Sequence, residues 1–281
     1  MKIAETDYAM IMGWKKMMEQ KGRSVSFIHA WFRHFGLAVK HGVKLEIPGC
    51  KAVKEIRAEM RIKIPPRRSR YLTRDQVNLI VAEADQRGMG YLSLALLFRF
   101  EFMLRGVDVY GQWAPAEGRE GGLQHNGQLW EDGLTWEMFN RELTGFKKVI
   151  SKTRDTLKEP YHFDLTATPE IRKRLMAIPI EDRVGPVIVV KDGLPPKDTT
   201  VTQAFSRLAE AAKLPKGLRI SDARSGAITE AQSLVDPMTL RNAAQHTQIT
   251  TTDIYARGRS DGANKVVRIR GERTKKESRG N

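Results

Sequence analysis

The stretch Gln245-His246-Thr247-Gln248-Ile249-Thr250-Thr251-Thr252-Asp253-Ile254-Tyr255 decides how this chain is read. His246 stands nine residues before Tyr255, with a polar, Thr-rich turn between them and an aliphatic residue just before the Tyr. Upstream, two arginines sit in matching contexts: Arg105 in Phe102-Met103-Leu104-Arg105-Gly106-Val107-Asp108, and Arg224 in Ile220-Ser221-Asp222-Ala223-Arg224. These residue types suit one chemistry. A phosphodiester carries a full negative charge, and more builds on its non-bridging oxygens as phosphorus is attacked. Two guanidiniums, planar and always protonated, match that charge better than lysines do. A phenolic oxygen can attack and divide one hard step into two through a covalent intermediate. The leaving oxygen then needs a positioned acid.

The order Arg, Arg, His, Tyr with these gaps resembles the tyrosine recombinase (phage integrase) family of site-specific DNA recombinases. The resemblance covers residues 71 to 260, and 5 to 64 more weakly. It implies that Arg105 and Arg224 clamp the scissile phosphate, that Asp108 orients Arg105, and that His246 belongs to the same site. Tyr255 would be the nucleophile, leaving a 3′-phosphotyrosyl bond and a free 5′-OH. No metal or other cofactor is implied, because the bond energy is kept in the protein–DNA linkage. The family places a catalytic lysine on a β-hairpin between its two arginine boxes, and Lys152 in Ile150-Ser151-Lys152-Thr153 falls there. Lys147, Lys148 and Lys158 crowd the same hairpin and compete with it.

Two positions depart from the family pattern. The family usually has a histidine three residues before its second arginine, where this chain has Ser221. A hydroxyl donates or accepts a hydrogen bond but does not titrate near neutral pH. Gln245 replaces the glycine usual before the family's histidine. The implied partners are double-stranded DNA, three further copies in a homotetramer on paired DNA sites, and accessory DNA-bending proteins. The implied location is cytoplasmic and nucleoid-associated. The implied fold is mainly α with a small antiparallel β-sheet, a helical core-binding domain preceding the catalytic one.

Each residue also has a plainer reading. Arg105 could be a helix-end cation on the macrodipole, and Arg99 is a nearby competitor for its role. Arg224 could be a surface arginine, His246 a loop histidine and Tyr255 a packed aromatic. Their shared order favours the chemistry. The rival function is a catalytically impaired DNA-binding relative with a regulatory or architectural role, which Ser221, Gln245 and the short N-terminal domain favour. A relaxing enzyme of the type IB topoisomerase kind shares the chemistry and stands third.

Composition agrees with a nucleic-acid partner. The 281 residues carry a formal charge of +15 and a pI near 10.0, which points to a polyanion. Ribosomal and membrane-surface proteins are basic too. No long apolar run reads as a membrane span, and the acidic N-terminus has no signal-peptide layout. Cys50 is the only cysteine, which excludes an internal disulfide and Cys-rich zinc sites. The six histidines show no metal-ligand spacing.

Organisation follows from punctuation. Ile64-Pro65-Pro66-Arg67-Arg68-Ser69-Arg70 reads as an extended basic linker. The expected domains are a short helical DNA-binding domain at 1–64, the linker at 65–70, a catalytic domain at 71–258 and a basic tail at 259–281. Some 65 residues hold about three helices where the family usually has four or more, so the first domain is minimal or cut at its front end. Tyr8, Ile11, Trp14 and Met17-Met18 predict one helix. Phe27, Ile28, Trp31, Phe35, Ala38 and Val39 predict the apolar face of a second, with Ser24 or Ser26 as its N-cap. Val53 to Met60 predicts the third. Thr73-Arg74-Asp75-Gln76 has the form of a capping box. Tyr91 to Val109 reads as one apolar helical run carrying Arg105 near its end. Ala114 to Gly127 reads as a loop insertion, and Trp136 to Leu165 as short strands around a turn at 152–158. Thr168-Pro169-Glu170 starts a helix. Val187 to Val190 is a strand or a buried segment, and Asp198 to Lys213 a further helix. In the basic tail, Lys265 to Arg270 alternates like a strand, which the resemblance makes an assembly element between protomers.

Overall fold

Side-chain caps fix where the first helices begin. Asp7 accepts the Met10 N–H at 2.8 Å to open α1 (Tyr8–Gln20), and Ser24 accepts that of Phe27 at 3.2 Å to open α2 (Val25–Lys44). The third helix, α3 (Cys50–Glu59), follows Gly49 at φ +89°, where a Cβ would run into the backbone of Ala4. The computed structural model describes residues 3–66, 68–155 and 159–245. The chain divides into two units, Met1–Ser69 and Arg70–Asn281.

In the first unit, Ile28, Phe32 and Val39 of α2 pack with Ile11, Met18, Val53 and Met60. Phe27 and Ala38, expected on this face, are exposed. Positions 28, 32 and 39 form one stripe at helical spacing, and Phe32 takes its centre. Trp14, Trp31 and Phe35 close the cluster with ring centroids 5.4–5.7 Å apart.

The second unit opens with a reciprocal capping box. Thr73 Oγ1 accepts the Gln76 N–H and Gln76 Oε1 accepts that of Thr73, which starts α4 (Arg74–Gln86). Helix α5 (Gly90–Glu101) is buried at every residue from Leu92 to Phe100, as a central helix must be. The expected run to Val109 is broken: the chain leaves the helix at Phe102 and re-enters it as α6 (Gly106–Tyr110), so Arg105 begins a helix.

The expected loop insertion at 114–127 is loop over 116–123 and at the turn 126–127, with strand residues at 114–115 and 124–125. β1 (Gln112–Pro115), β2 (Gln124–His125) and β3 (Gln128–Glu131) form an antiparallel sheet in the order β1-β3-β2. Its strands are too short to show alternation. β4 (Gly145–Lys148) and β5 (Tyr161–Asp164) form a second antiparallel pair, with Phe146 stacked on Phe163 at 4.7 Å. Helix α7 (Pro169–Met176) has its proline at the first turn. Val187 and Ile188 are buried without being a strand; the Val187 N–H reaches Leu134 O at 2.9 Å. Helices α8 (Asp198–Ala211), α9 (Asp222–Ala231) and α10 (Pro237–Ala243) complete the unit. The tail strand expected at 265–270 lies outside the described residues.

Candidate active site

The break between α5 and α6 builds one wall. Met103 holds φ +52°, a left-handed conformation uncommon for a residue with a side chain. The turn sets Arg105 at the start of α6, where the helix dipole offers a cation nothing. The helix-end account of Arg105 therefore fails. Its side chain is 22% exposed, and Nη1 lies 4.0 Å from Oδ2 of the fully buried Asp108. Asp108 Oδ1 accepts the Ser151 N–H at 2.8 Å. Among the described residues neither Arg105 Nη1 nor Asp108 Oδ2 has a hydrogen-bond partner. A buried carboxylate left half satisfied is costly, and folded proteins retain one where it has a use.

Arg224 reaches this wall from the other side of the core. α9 is buried from Asp222 to Ile228 because it presses on the chain just before α4. The Leu72 N–H donates to Asp222 O at 3.0 Å, and Ser225 Oγ donates to Arg70 O at 3.3 Å. A Cβ on Gly226 would land on the Leu72 carbonyl oxygen. So positioned, Arg224 is buried, and its Nη1 donates to the Met103 carbonyl, two residues before Arg105. Nη1 also donates to Gln245 Oε1 at 2.9 Å, and Nη2 to the Ala244 carbonyl. The two arginine boxes and the end of α10 thus meet at one place.

The hairpin brings the lysine region in. Lys152 is exposed in a 3-10 turn, Ser151–Thr153, directly after the residue whose N–H Asp108 holds. Its competitors separate by burial. Lys148 is buried, with Nζ donating to Asp132 O and, at 2.9 Å, to Gly133 O. Burial lowers its pKa, against the opposing pull of Asp108 and Asp132. It is a strut for that turn. Lys147 is exposed on β4, and Lys158 lies outside the described residues.

Ser221 is exposed immediately before α9, and its side chain caps no N–H of that helix. Arg99, the competitor for Arg105, is buried against Tyr110: Nη1 donates to Oη at 3.1 Å, and Oη donates to Asp198 at 2.7 Å. Burial lowers the pKa of Arg99 and raises that of Tyr110, so this pair serves the core. His246 and Tyr255 lie outside the described residues; the last described residue, Gln245, directly precedes His246 in sequence. Met103 and Gln245 contribute contacts that no spacing rule singles out. A β-region residue with an apolar side chain is the default at 103, and only the fold imposes the positive φ.

Among the described residues no helix is long and apolar enough to cross a membrane, and no group of His, Cys, Asp and Glu could hold a metal ion. No protein-family profile and no curated protein matches the chain in sequence. Solved structures do match in shape. A lambda integrase fragment, seen as a dimer on a COC′ core site, matches at TM-score 0.66 and 15% identity over 91% of this chain and 82% of that one. The Tn1549 transposon integrase, in complex with circular intermediate DNA, matches at TM-score 0.62 and 14% identity over 91% and 82%. A lambda integrase tetramer on a Holliday junction gives 0.64 and 14% over 89% of this chain and 64% of that one, so this chain spans less than two thirds of that integrase. A likeness at such low identity is one of fold: the chain shares the fold of these integrases, a helical first part followed by a mainly helical second part with small antiparallel sheets.

Proposed function

We propose that this protein is a site-specific DNA recombinase or integrase that cuts and rejoins strands through Tyr255. In this reading the phenolic oxygen of Tyr255 attacks a phosphodiester. The P–O5′ bond breaks, leaving a 3′-phosphotyrosyl link, and Lys152 protonates the departing 5′ oxygen. A 5′-OH from a partner duplex then attacks the phosphotyrosine, expels the tyrosine oxygen and restores a phosphodiester. Arg105 and Arg224 stabilise the charge on the non-bridging oxygens, with Asp108 holding Arg105. His246 stands with them at the phosphate, and Ser221 offers a hydrogen bond without titrating. The carrying observation is the bond from Arg224 to the Met103 carbonyl, which brings the Arg224 guanidinium to the turn two residues before Arg105. A preorganised pair of this kind is what transition-state charge requires. The tetrameric lambda integrase on its junction supports a homotetramer on paired duplexes as the working assembly.

The second reading is a DNA-binding relative that has lost turnover, with a regulatory or architectural role. It is favoured by Ser221 and by the protein carbonyls that occupy Arg224. One experiment separates the two. On a nicked suicide duplex of the attachment site, the wild type is expected to form a denaturation-resistant adduct. Tyr255→Phe should bind the same duplex with unchanged affinity and form none. An adduct from the Phe variant moves the nucleophile elsewhere, and binding without any adduct from the wild type selects the second reading.

A further inference from the structure

Gln245 occupies a position where a glutamine strains the backbone. Its φ is +49°, a conformation glycine adopts freely and a residue with a Cβ adopts at a cost. The side chain is nevertheless buried, and its carboxamide is used at both ends. Oε1 accepts from Arg224 Nη1 at 2.9 Å. Nε2 donates to the Phe102 carbonyl at 3.2 Å and to the Ala243 carbonyl. One side chain therefore joins α9, the turn that leads to Arg105, and the end of α10. Its orientation is forced, because the acceptor must face a guanidinium and the donor must face two carbonyls. A glutamate would set an oxygen against those carbonyls and pair its charge with Arg224.

We propose that Gln245 is a positioning residue: it fixes the Arg224 guanidinium and the Phe102–Met103 turn in one arrangement, and so sets both arginines without touching the phosphate. The bonds of the carboxamide offset the left-handed backbone at its own position. The geometry stands alone, whereas its kinetic consequence rests on the recombinase reading.

The test uses the full chain with Gln245→Gly and Gln245→Glu. Glycine removes the carboxamide and the backbone strain together, so the fold and melting temperature should hold. The first readout needs no DNA. In arginine-15N-labelled protein, the Arg224 side-chain resonances should be resolved and slow to exchange in the wild type, and should average in Gln245→Gly. An unchanged Arg224 spectrum overturns the proposal. The second readout is single-turnover adduct formation on the nicked suicide duplex between pH 5 and 9. Gln245→Gly should be slower by a factor on the order of 10 to 100, the scale of a small misplacement of catalytic groups. Gln245→Glu should be slow at neutral pH and recover toward acid, because the protonated carboxyl again donates and no longer neutralises Arg224. A Gln245→Glu profile parallel to the wild type also overturns the proposal. If the wild type forms no adduct at all, the recombinase reading falls, and the arginine spectrum alone decides the positioning role.

Discussion

Ser221 is the residue at which the candidate site departs most from the family it resembles. It is exposed, it precedes buried Arg224 by three residues, and its hydroxyl caps no helix N–H. An imidazole at an exposed position displaces no packed neighbour, so Ser221→His should fold. It adds a group titrating near a pKa of about 6.5, which a hydroxyl cannot supply. Ser221→His is therefore expected to raise single-turnover adduct formation several-fold, and to bend the rate profile between pH 6 and 7. A folded Ser221→His protein with no adduct would show that this position does not face the phosphate, and the alignment of the second arginine box would be wrong. Burial already separates the other candidates at this scale. Arg99 and Lys148 give their donors to buried protein oxygens, whereas Arg105 and Lys152 keep exposed surface.

The candidate site depends on how closely whole elements approach. α9 passes the backbone at Leu72 so tightly that Gly226 has no room for a methyl group. In an open helix, Gly→Ala stabilises by roughly 1 kcal/mol; here the blocking atom is a backbone carbonyl, so the sign reverses. Gly226→Ala should destabilise by about 3 kcal/mol and withdraw Arg224 from Met103, readable as a lower denaturation midpoint at unchanged slope. A second link joins α4, α5 and α7. Asp85 accepts from both Nη atoms of Arg174 (2.8 and 2.6 Å) and from Ser93 Oγ (2.7 Å). The Arg174 bonds, aided by Ser93, hold the Asp85 carboxyl below its ordinary range, against the upward pull of burial. The folded pKa is lower than the unfolded one, so this contribution is complete above about pH 4 and is lost as pH falls through the folded value. Asp85→Asn should lower the Tm by roughly 2–4 °C at neutral pH, since solvent screens the pair, and the gap should close in acid. The same elements show what sequence reveals. Caps at Ser24 and Thr73 and the proline start of α7 are local bonds, and they were legible. The break at Phe102 was not, because residues 91–104 are predominantly apolar on both sides of it and the turn is held by Arg224, distant in sequence. Nor was the sheet at 112–131, whose pairing is set by partners across Gly-rich turns. Of the candidate site, the residue types and their order were legible. The approach of Arg224 to Met103 and the bonds of Gln245 depended on contacts distant in sequence, and His246 and Tyr255 lie outside the described residues.

At the scale of the whole molecule, charge and chemistry are carried by different residues and should separate under salt. On the recombinase reading, a net charge of +15 makes many phosphate contacts available, each releasing counterions, so the logarithm of affinity should fall against the logarithm of salt by about 0.9 per phosphate engaged. Arg224 is buried and, among the described residues, donates to the Met103 and Ala244 carbonyls and to Gln245 Oε1, so it contributes at most one such contact. In the recombinase reading the field that gathers DNA is thus collective, while transition-state stabilisation is local. Arg224→Ala should leave the salt slope within about 1 of the wild type and weaken duplex binding only modestly. Adduct formation in the same protein should fall by at least the roughly 10²–10³-fold typical of losing one preorganised donor to an oxyanion. The measurement pairs duplex affinity at several salt concentrations with single-turnover cleavage at one. Parallel losses of binding and cleavage would place Arg224 among the general phosphate contacts. A slope unchanged while cleavage collapses would place it at the reacting phosphorus, where one guanidinium matters more than the net charge of the chain.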